Sequence, residues 1–491
     1  MSISEETAAQ GICENVMRLH IGEGKNINLE IPLSIGGAEI AGPHPVSLPE
    51  PTSEPSPERE RGDKIKRTLK NLVYRVNKVE LGEETKFERG TLTVREAAVR
   101  EALKEDELCR GLSIDIINPG AMNVFTNSMM DVIPIATKLE GKLGEGVTYE
   151  ALGAVVLLTG VDEAGLQVAD ANSSDGILKE RVMFGRPGCP DEGDIIIRMH
   201  AVVKDGMRME RPGPYAAHKA ADYVIQEIRD ALKKVPREEA EAERLYLDKE
   251  SPGKPKVLIV KEIMGQGAMH DNLILPVEPA GVFGGKPNVD LGNLPVLLTP
   301  NEVRDGGVRA LTCITPSTKE NSRHYWREPL VELAAEDEEL DLIGVVFIGS
   351  PQANTDKFYV SERLGRLVEA LKVDGAIVTT EGFGNNHVDF GSHIEQIGML
   401  GVPVVGVSYC GVQGALVTGN KYMDAMVDCS VSKDGVESDI LGENTITPEV
   451  ALRAVAMLKN KMMGEPILKA GKWDIEVQEN NYELAKKSHG V

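Results

Sequence analysis

The stretch LIGVVFIGSPQANTDKFYVSERLGRLVEALKVDGAIVTT, residues 342–380, carries the pattern that decides the fold of the C-terminal half. It begins and ends with short apolar runs, 342–348 and 376–379, which are typical of strands buried on both faces. Between these runs, residues 361–371 repeat leucine and valine at helical spacing. A strand–helix–strand unit of this kind predicts a parallel sheet.

Further apolar runs extend this pattern along the chain. Residues 257–260 and 402–407 add two buried strands, so the C-terminal region is predicted to be an α/β domain with an open, doubly wound parallel sheet. Such sheets bind ligands beyond the carboxyl ends of their strands. Upstream, strand-like runs and a helix from about Pro214 to Lys234 predict a mixed α+β region. The charged stretch from Val235 is expected to be a solvated helix.

The length of 491 residues predicts roughly three folded units. Composition shifts suggest the boundaries between the segments, because the Pro-, Ser- and Glu-rich stretch near residue 50 cannot support a core. The predicted segments are a short N-terminal β unit (1–42), a linker (43–63), a mixed α+β domain (64–250), the first part of an α/β domain (251–312), its remainder (313–480) and a tail (481–491).

Charge and composition restrict the partners. A formal net charge of −23 repels phosphate backbones, so no nucleic acid is expected to bind. No basic segment followed by an apolar run marks the N-terminus, and no stretch approaches the roughly 20 apolar residues of a membrane span. The six cysteines are scattered without CxxC spacing, which favours a reducing, cytoplasmic location. They form no zinc-type cluster with histidine, and no metal is expected.

Two glycine pairs invite a nucleotide-binding interpretation. Gly265-Gln266-Gly267 and Gly382-Phe383-Gly384 each follow a predicted strand. Neither completes the GxGxxG pattern that holds a dinucleotide at a helix N-terminus. Tight turns with a close approach of the backbone are the favoured explanation. A nucleotide-dependent oxidoreductase therefore stays only an alternative, which a thermal melt with added nicotinamide cofactor would test.

The segment DGGVRALTCITP, residues 305–316, is the sharpest local feature. Two glycines and a nearby proline suit an unusual backbone path around Cys313. Taken alone, Cys313 is a candidate for ordinary core packing. Its thiol could instead attack the carbonyl of Thr312, shift the acyl group from nitrogen to sulfur, and leave dehydroalanine that hydrolyses to a pyruvoyl group. The sequence permits this reaction without requiring it.

Long blocks of the chain resemble a known family. They include KEIMGQGAMHDNLILPVEPAG from Lys261, SRHYWREPL from Ser322, VVFIGSPQANTDKFYVSERLG from Val345 and VDGAIVTTEGFGNNHVDFGSHIEQIG from Val373. These blocks are similar to those of the D-proline reductase proproteins of amino-acid-fermenting anaerobes. The resemblance covers roughly residues 65–465 and also LHIGEGKNINLEIPL from Leu19. A more distant likeness extends to the precursor subunit of glycine, sarcosine and betaine reductase component B.

The resemblance implies a self-cleaving precursor. Cleavage at Thr312–Cys313 would turn Cys313 into a pyruvoyl cofactor and divide the 53.2 kDa chain into parts of roughly 34 and 19 kDa that stay associated. The pyruvoyl group would bind D-proline as an iminium for reductive Cα–N ring opening to 5-aminopentanoate. The resemblance also implies a separate selenocysteine- or cysteine-containing reductase subunit, which a dithiol reduces. Family precursors are expected to carry a longer leader than this chain shows, which leaves the role of the leader open.

Several side chains are candidates for the substrate site. Guanidinium groups suit the carboxylate of proline, and Arg323 and Arg327 follow Cys313 closely, although entry into a helix at Pro329 explains them too. His324 is a candidate for proton transfer. The remaining candidates follow predicted strands: Glu381, Asn385, Asn386 and His387, and the pair His270 and Asp271. The sequence does not identify the base for the elimination.

Two further alternatives stay open. The chain could be an uncleaved, non-catalytic scaffold of the complex. It could also use the pyruvoyl chemistry on glycine, betaine or another cyclic amino acid, because one methylene or hydroxyl changes discrimination by only a few kcal/mol. The match to proline-type blocks favours D-proline.

Overall fold

A computed structural model of the chain describes residues 62–168, 174–208, 211–264, 292–311, 320–382, 384–409, 416–430, 439–465 and 467. It also describes the backbone of four strands outside these ranges, at 16–21, 27–32, 271–274 and 289–290. Residues 1–59 form one unit, in which the first two of these strands pair antiparallel. Residues 60–491 form the second unit. Thr312, Cys313 and His270, and the side chain of Asp271, lie outside the described residues.

The strands of the described residues are, in chain order, β1 Val16–Ile21, β2 Ile27–Pro32, β3 Lys64–Arg75, β4 Lys78–Gly82, β5 Lys86–Glu88, β6 Thr91–Arg95, β7 Cys109–Ile117, β8 Phe125–Thr126, β9 Met129–Ile133, β10 Ala136–Glu140, β11 Gly146–Leu152, β12 Ala154–Asp162, β13 Gly176–Ile177, β14 Ile195–Val203, β15 Ala242–Glu250, β16 Lys256–Met264, β17 Asp271–Ile274, β18 Val289–Asp290, β19 Val296–Leu298, β20 Val308–Leu311, β21 Asp341–Ser350, β22 Gly375–Thr380, β23 Val404–Ser408 and β24 Met426–Asp428.

The helices are α1 Ala98–Ala102, α2 Leu178–Arg181, α3 Pro212–Leu232, α4 Pro300–Arg304, α5 Ser322–Trp326, α6 Pro329–Glu336, α7 Asn354–Leu371, α8 Asn386–Met399 and α9 Pro448–Met462. Together with the strands they confirm the prediction of a mixed α/β chain. None of the helices in the described part of the chain combines the length and apolar character that a membrane crossing demands.

Two four-stranded mixed sheets build the first half of the second unit. Their strand orders are β10-β11-β3-β15 and β7-β14-β12-β9. The long helix α3 packs between them, because alanine, valine and isoleucine recur along its buried face. It starts with Pro212, which suits the first turn of a helix because that turn needs no backbone donor there.

The expected helix from Val235 is wrong. Only Arg237–Glu239 form a short 3-10 turn, and the chain then enters β15 at Ala242. β15 pairs antiparallel with β3 along its whole length at the sheet edge, and residues 243–247 alternate between exposed and half-buried positions. Its charged residues therefore belong to an edge strand, which the charge pattern alone did not distinguish from a solvated helix.

A six-stranded sheet builds the second half, in the order β19-β21-β16-β22-β23-β24. All neighbouring strands are parallel except β19, which pairs antiparallel with β21 at one edge. One face packs against α6 and α9, and the other packs against α7 and α8. Both faces are covered, which explains why these strands are apolar nearly throughout.

The turn before β20 is set by glycine. Gly306 has φ +71°, a conformation that L side chains rarely adopt. At Gly307, an added Cβ would lie 2.7 Å from the carbonyl oxygen of Glu302. The preceding helix α4 starts with a capping box between Thr299 and Glu302. This local chemistry leads the chain into β20, whose four residues are all buried.

Candidate active site around the end of β20

The two ends of the segment that contains Thr312 and Cys313 meet in the structure. β20 ends at Leu311, and the described chain continues from Glu320. The backbone N–H of Ala310 donates to the hydroxyl of Ser322 at 2.9 Å. β17 pairs antiparallel with β20, which puts the backbone of Asp271 opposite Leu311. Of the predicted pair His270–Asp271, the backbone of Asp271 thus pairs with the last residue of β20, which precedes Thr312 in the sequence.

A fully buried ion-pair network anchors this meeting point. Asp131 accepts hydrogen bonds from the backbone N–H of Ser322 at 3.0 Å and from its hydroxyl at 2.7 Å. The guanidinium of Arg309 donates to Asp131 at 3.3 Å and to Asp222 at 3.0 Å. His218 places Nε2 3.4 Å from the same carboxylate of Asp131. Buried charges need such partners, so the network fixes β20 against the start of α5.

A second buried network surrounds His324. Lys261 of β16 donates to Glu320 at 2.7 Å and to Glu328 at 2.9 Å, and His324 Nε2 lies 2.7 Å from Glu328. Burial alone lowers the pKa of Lys261, but the attraction of the two carboxylates outweighs it and holds that pKa above its usual value. Burial raises the pKa of Glu328, but Lys261 and His324 outweigh burial and lower it to about 2. His324 Nδ1 lies 3.1 Å from the hydroxyl of Thr445.

Tyr325 links this network to the end of β22. Its hydroxyl donates to the carboxylate of Glu381, which is buried. Burial and then the charge of Glu381 raise the pKa of Tyr325 well above its usual value, so the phenol keeps its proton. The ring packs edge-on against Phe347 at 5.6 Å between centroids. The structure thus places two predicted site residues next to Tyr325: Glu381 at its hydroxyl, and His324 with its ring centroid 6.4 Å from that of the tyrosine.

The two predicted arginines turn towards the first half of the unit. Arg323 donates to Asp194 at 2.7 Å and to Asp191 at 3.0 Å. Arg327 forms a two-pronged pair with Asp191, at 3.0 Å for each bond. The side chain of Arg323 is 4% exposed and that of Arg327 is 28% exposed. Carboxylates of the chain therefore already occupy both guanidinium forks.

The remaining predicted residues lie at the start of α8. His387 is buried and places Nε2 2.9 Å from the hydroxyl of Ser408, at the end of β23. Asn386 is buried, and Asn385 is exposed in the N-cap position. These positions follow the carboxyl ends of two neighbouring parallel strands, where α/β sheets carry their binding sites.

Two carboxylate–histidine groups of the described residues have ligand atoms close enough together for a metal ion. In the first, Glu320, His324 and Glu328, the ammonium of Lys261 already bonds both carboxylates. The second consists of Glu262, Asp389 and His393.

Comparisons with known proteins identify the family of the chain. A family model for glycine/sarcosine/betaine reductase component B subunits matches residues 68–157 and 199–441. The chain belongs to this family. The matched ranges contain Asp131, Arg309 and His324, so the family region includes both buried networks at the end of β20.

The chain is similar to proteins from two organisms. The chain is 53% identical over 485 residues to the D-proline reductase proprotein of Acetoanaerobium sticklandii. The aligned residues cover 97% of this chain and 77% of that relative. The chain is 26% identical to the sarcosine reductase complex component B subunit alpha of Peptoclostridium acidaminophilum, over 67% of this chain and 76% of the relative. The predicted resemblance is confirmed. No solved structure matches the chain significantly.

Sequence reasoning missed the charged partners in both networks. Asp131 is a single charge inside an apolar stretch, Asp222 lies on a helix rich in alanine, and Lys261 and Glu262 together interrupt an apolar strand. The spacing Glu320, His324, Glu328 was a usable signal, because residues four apart share one face of a helix. That signal could have identified His324 as a member of a cluster with two carboxylates.

Proposed function

We propose that this component B chain is the precursor of pyruvoyl-containing D-proline reductase subunits and cleaves itself at Thr312–Cys313. The observation that carries the proposal is the 53% identity to a D-proline reductase proprotein over 97% of the chain. Identity to the sarcosine and betaine relatives is only 24–26%. This contrast supports D-proline as the substrate.

The cleavage chemistry uses the chain's own atoms. The thiol of Cys313 attacks the Thr312 carbonyl, and the acyl group moves from nitrogen to sulfur as a thioester. Loss of the Cα proton then breaks the Cβ–S bond, which leaves a thiocarboxylate on Thr312 and dehydroalanine at position 313. One water hydrolyses the thiocarboxylate to a carboxylate and releases hydrogen sulfide. A second water converts dehydroalanine to the pyruvoyl group and releases ammonia.

The geometry at the end of β20 supports this site. Cys313 follows Leu311 by two residues, and a chain of two residues reaches at most about 7 Å. The bond to be cleaved thus belongs to a short segment with both flanks clamped, at Ala310 and at Ser322. Clamped ends restrict the conformations of the segment and favour an intramolecular attack.

The pyruvoyl group would supply an electrophilic carbonyl that captures the secondary amine of proline. We propose that His324, Glu381 and His387 provide the polar groups around it, since they lie at the carboxyl ends of the strands and on α5. Substrate binding by Arg323, Arg327, Asn385, Asn386, His270 and Asp271 stays a prediction. Of the two arginines, Arg327 is the more accessible, and a substrate carboxylate would have to replace Asp191 there.

The thiols of the described residues support a separate reducing subunit. Cys109, Cys189 and Cys429 are all buried. Burial raises the pKa of Cys109 to about 11 and that of Cys189 to about 12, so neither supplies a thiolate near neutral pH. We therefore propose that the selenol or thiol nucleophile comes from a partner subunit and is reduced there by a dithiol.

The sheet order supports a finer description of the fold. Among the parallel strands, the chain order β16, β21, β22, β23, β24 becomes the spatial order 2-1-3-4-5. We infer a doubly wound sheet, in which ligands bind where the strand order reverses. That point lies between β16 and β22, which carry Lys261 and lead to Glu381.

The same order explains why cleaved fragments would stay associated. Cleavage after Thr312 leaves β16 in the large fragment, while β21 and β22, its neighbours on both sides, belong to the small fragment. The large fragment thus contributes the inner strand of a sheet that the small fragment completes. Separating the two fragments would expose strands that are apolar on both faces to water. That exposure costs free energy in proportion to the apolar area, whereas cleavage of one peptide bond leaves these buried contacts in place.

Denaturing intact-mass analysis of the protein purified with its partner subunit, with and without a hydrazine, tests the proposal. We expect two fragments that meet at Thr312–Cys313, with one hydrazone on the smaller. Cys313→Ala is the control and should give only the full-length mass. A single full-length mass for the unaltered chain would refute the proposal and favour an uncleaved scaffold.

A further inference from the structure

Strand β16 carries charged residues on both of its faces. Lys261 faces α5, and the next residue, Glu262, faces the opposite side because side chains alternate along a strand. On that side, Glu262 meets Asp389 and His393 of α8. All three side chains are fully buried. Buried ionisable groups are costly without partners, so this cluster requires an explanation.

Three atoms of the cluster converge. Among the described residues, Glu262 Oε2, Asp389 Oδ2 and His393 Nε2 make no hydrogen bond, and their ligand atoms all lie within 4.8 Å of one another. Glu262 Oε2 and His393 Nε2 are 3.5 Å apart. Tetrahedral zinc with bonds of 2.0–2.1 Å holds its ligand atoms about 3.4 Å apart. The spacing of this pair therefore fits one small cation between them.

The other atom of each carboxylate is held in place. Thr380 donates to Glu262 Oε1 at 3.0 Å. Lys357 donates to Asp389 Oδ1 at 2.9 Å and to Ser350 at 2.7 Å. In metal sites, such outer hydrogen bonds orient the ligating residues. Here they hold one oxygen of each carboxylate and leave the other, Glu262 Oε2 or Asp389 Oδ2, without a hydrogen bond among the described residues.

The hydrogen bonds of His393 favour the tautomer that can bind a metal through Nε2. The hydroxyl of Ser361 donates its one hydrogen to the carbonyl of Lys357 at 3.0 Å. It must therefore accept from His393 Nδ1, which lies 2.8 Å away. This tautomer leaves a lone pair on Nε2.

We propose that Glu262, Asp389 and His393 form a binding site for one divalent transition metal of the zinc type. The two carboxylates and the neutral imidazole match the ligands that zinc accepts. The His324 cluster differs, because Lys261 supplies a cation to both of its carboxylates. In the proposed site the ammonium of Lys357 reaches only Asp389 Oδ1 and leaves the converging atoms to the metal.

The site would connect elements of the two fragments that the proposed cleavage produces. Glu262 precedes Thr312 and the other two ligands follow it, so the metal would connect the inner strand of the large fragment to α8 of the small one. This role, unlike the metal site itself, rests on the proposed cleavage. The metal would lie on the face of β16 opposite Lys261, away from the His324 network.

Metal content and thermal unfolding of the full chain test the site. Zinc measured by mass spectrometry should be about one per chain in the unaltered protein, because the three residues form one site. Glu262→Gln and Asp389→Asn, which preserve shape, should lose that zinc. Glu395→Gln, an exposed position on the same helix, should keep it. Chelation followed by addition of ZnCl₂ should lower and then restore the melting temperature.

A comparison of melts without metal separates metal binding from misfolding. Glu262→Gln and Asp389→Asn should melt cooperatively near the temperature of the chelated unaltered chain, and ZnCl₂ should raise the melting temperature of the unaltered chain but not of these variants. A misfolded variant would show no such cooperative melt. If the unaltered chain neither contains nor takes up zinc, a proton fills the cluster and the proposal is overturned. Retention of zinc by Glu262→Gln would also overturn it, because the metal would then lie elsewhere.

Discussion

Replacing Lys261 with methionine should destabilise the second half of the chain strongly. The ammonium bonds Glu320 at 2.7 Å and Glu328 at 2.9 Å, and all three side chains are at most 3% exposed. Removing one partner of a buried ion pair costs about 3–5 kcal/mol, because the remaining charge has no solvent. At about 2–4 °C per kcal/mol for a domain of 150–250 residues, the melting temperature should fall by about 6–20 °C.

The assay is thermal unfolding of the purified chain, followed by circular dichroism. Lys256→Met is the matched control, since Lys256 is exposed at the start of the same strand. Its expected change is within about 0.5 kcal/mol. A triple variant, Lys261→Met with Glu320→Gln and Glu328→Gln, removes the stranded charges and should recover at least half of the loss.

The pH dependence provides a second test of the same network. Glu328 has a pKa of about 2 in the folded chain against an ordinary 4.5, so it binds its proton more weakly when folded. Between these values the unfolded chain carries more protons, and acid therefore favours unfolding. The stabilisation is present above pH 4.5 and is lost as the pH falls towards 2. A Lys261→Met chain that melts within 2 °C of the unaltered protein would refute the reasoning.

Three further predictions concern neighbouring features. Asp131→Asn should slow the conversion of precursor to fragments about tenfold, because it weakens the hydrogen bond that holds Ser322, which is worth about 1.5–3 kcal/mol. Conversion is followed on denaturing gels, and an unchanged rate would contradict this prediction. Chains 1–312 and 313–491 produced together should copurify, whereas each alone should be insoluble, because β16 and β21 complete one sheet; a soluble, folded 313–491 alone would contradict it. Tyr325→Phe, which removes a bond to Glu381, should lower the melting temperature by about 2–12 °C; a smaller change would make that bond unimportant for stability.

The sequence predicted the elements of the six-stranded sheet well. Residues 342–348 and 376–379 fall inside β21 and β22, and the helix predicted at 361–371 is the second half of α7. This success has a physical cause. Strands covered on both faces must be apolar throughout, and the helices that cover them must be amphipathic, so each pattern is visible within a short window.

The charged clusters could not be predicted in the same way. Lys261 and Glu262 are adjacent in sequence, yet their partners lie 59 to 131 residues further along the chain. Which partner each one meets depends on the strand order and on which face of β16 it occupies. A local pattern contains neither piece of information. The error at Val235 has a related origin, since exposed charges occur on solvated helices and edge strands alike.

The topology also constrains when cleavage can happen. β16, β19 and β20 all precede Thr312, and β16 occupies an inner position between strands that follow it. If the chain were cut before folding, the inner strand would have to find its place by diffusion between two separate chains. In the intact precursor the same contacts are intramolecular and need only loop closure. Asp131 binds both Arg309, which precedes the proposed cleavage site, and Ser322, which follows it. This clamp therefore exists only once the segments on both sides of the site have folded. Folding should therefore precede cleavage, and the mature fragments would inherit a sheet that they could not easily assemble separately.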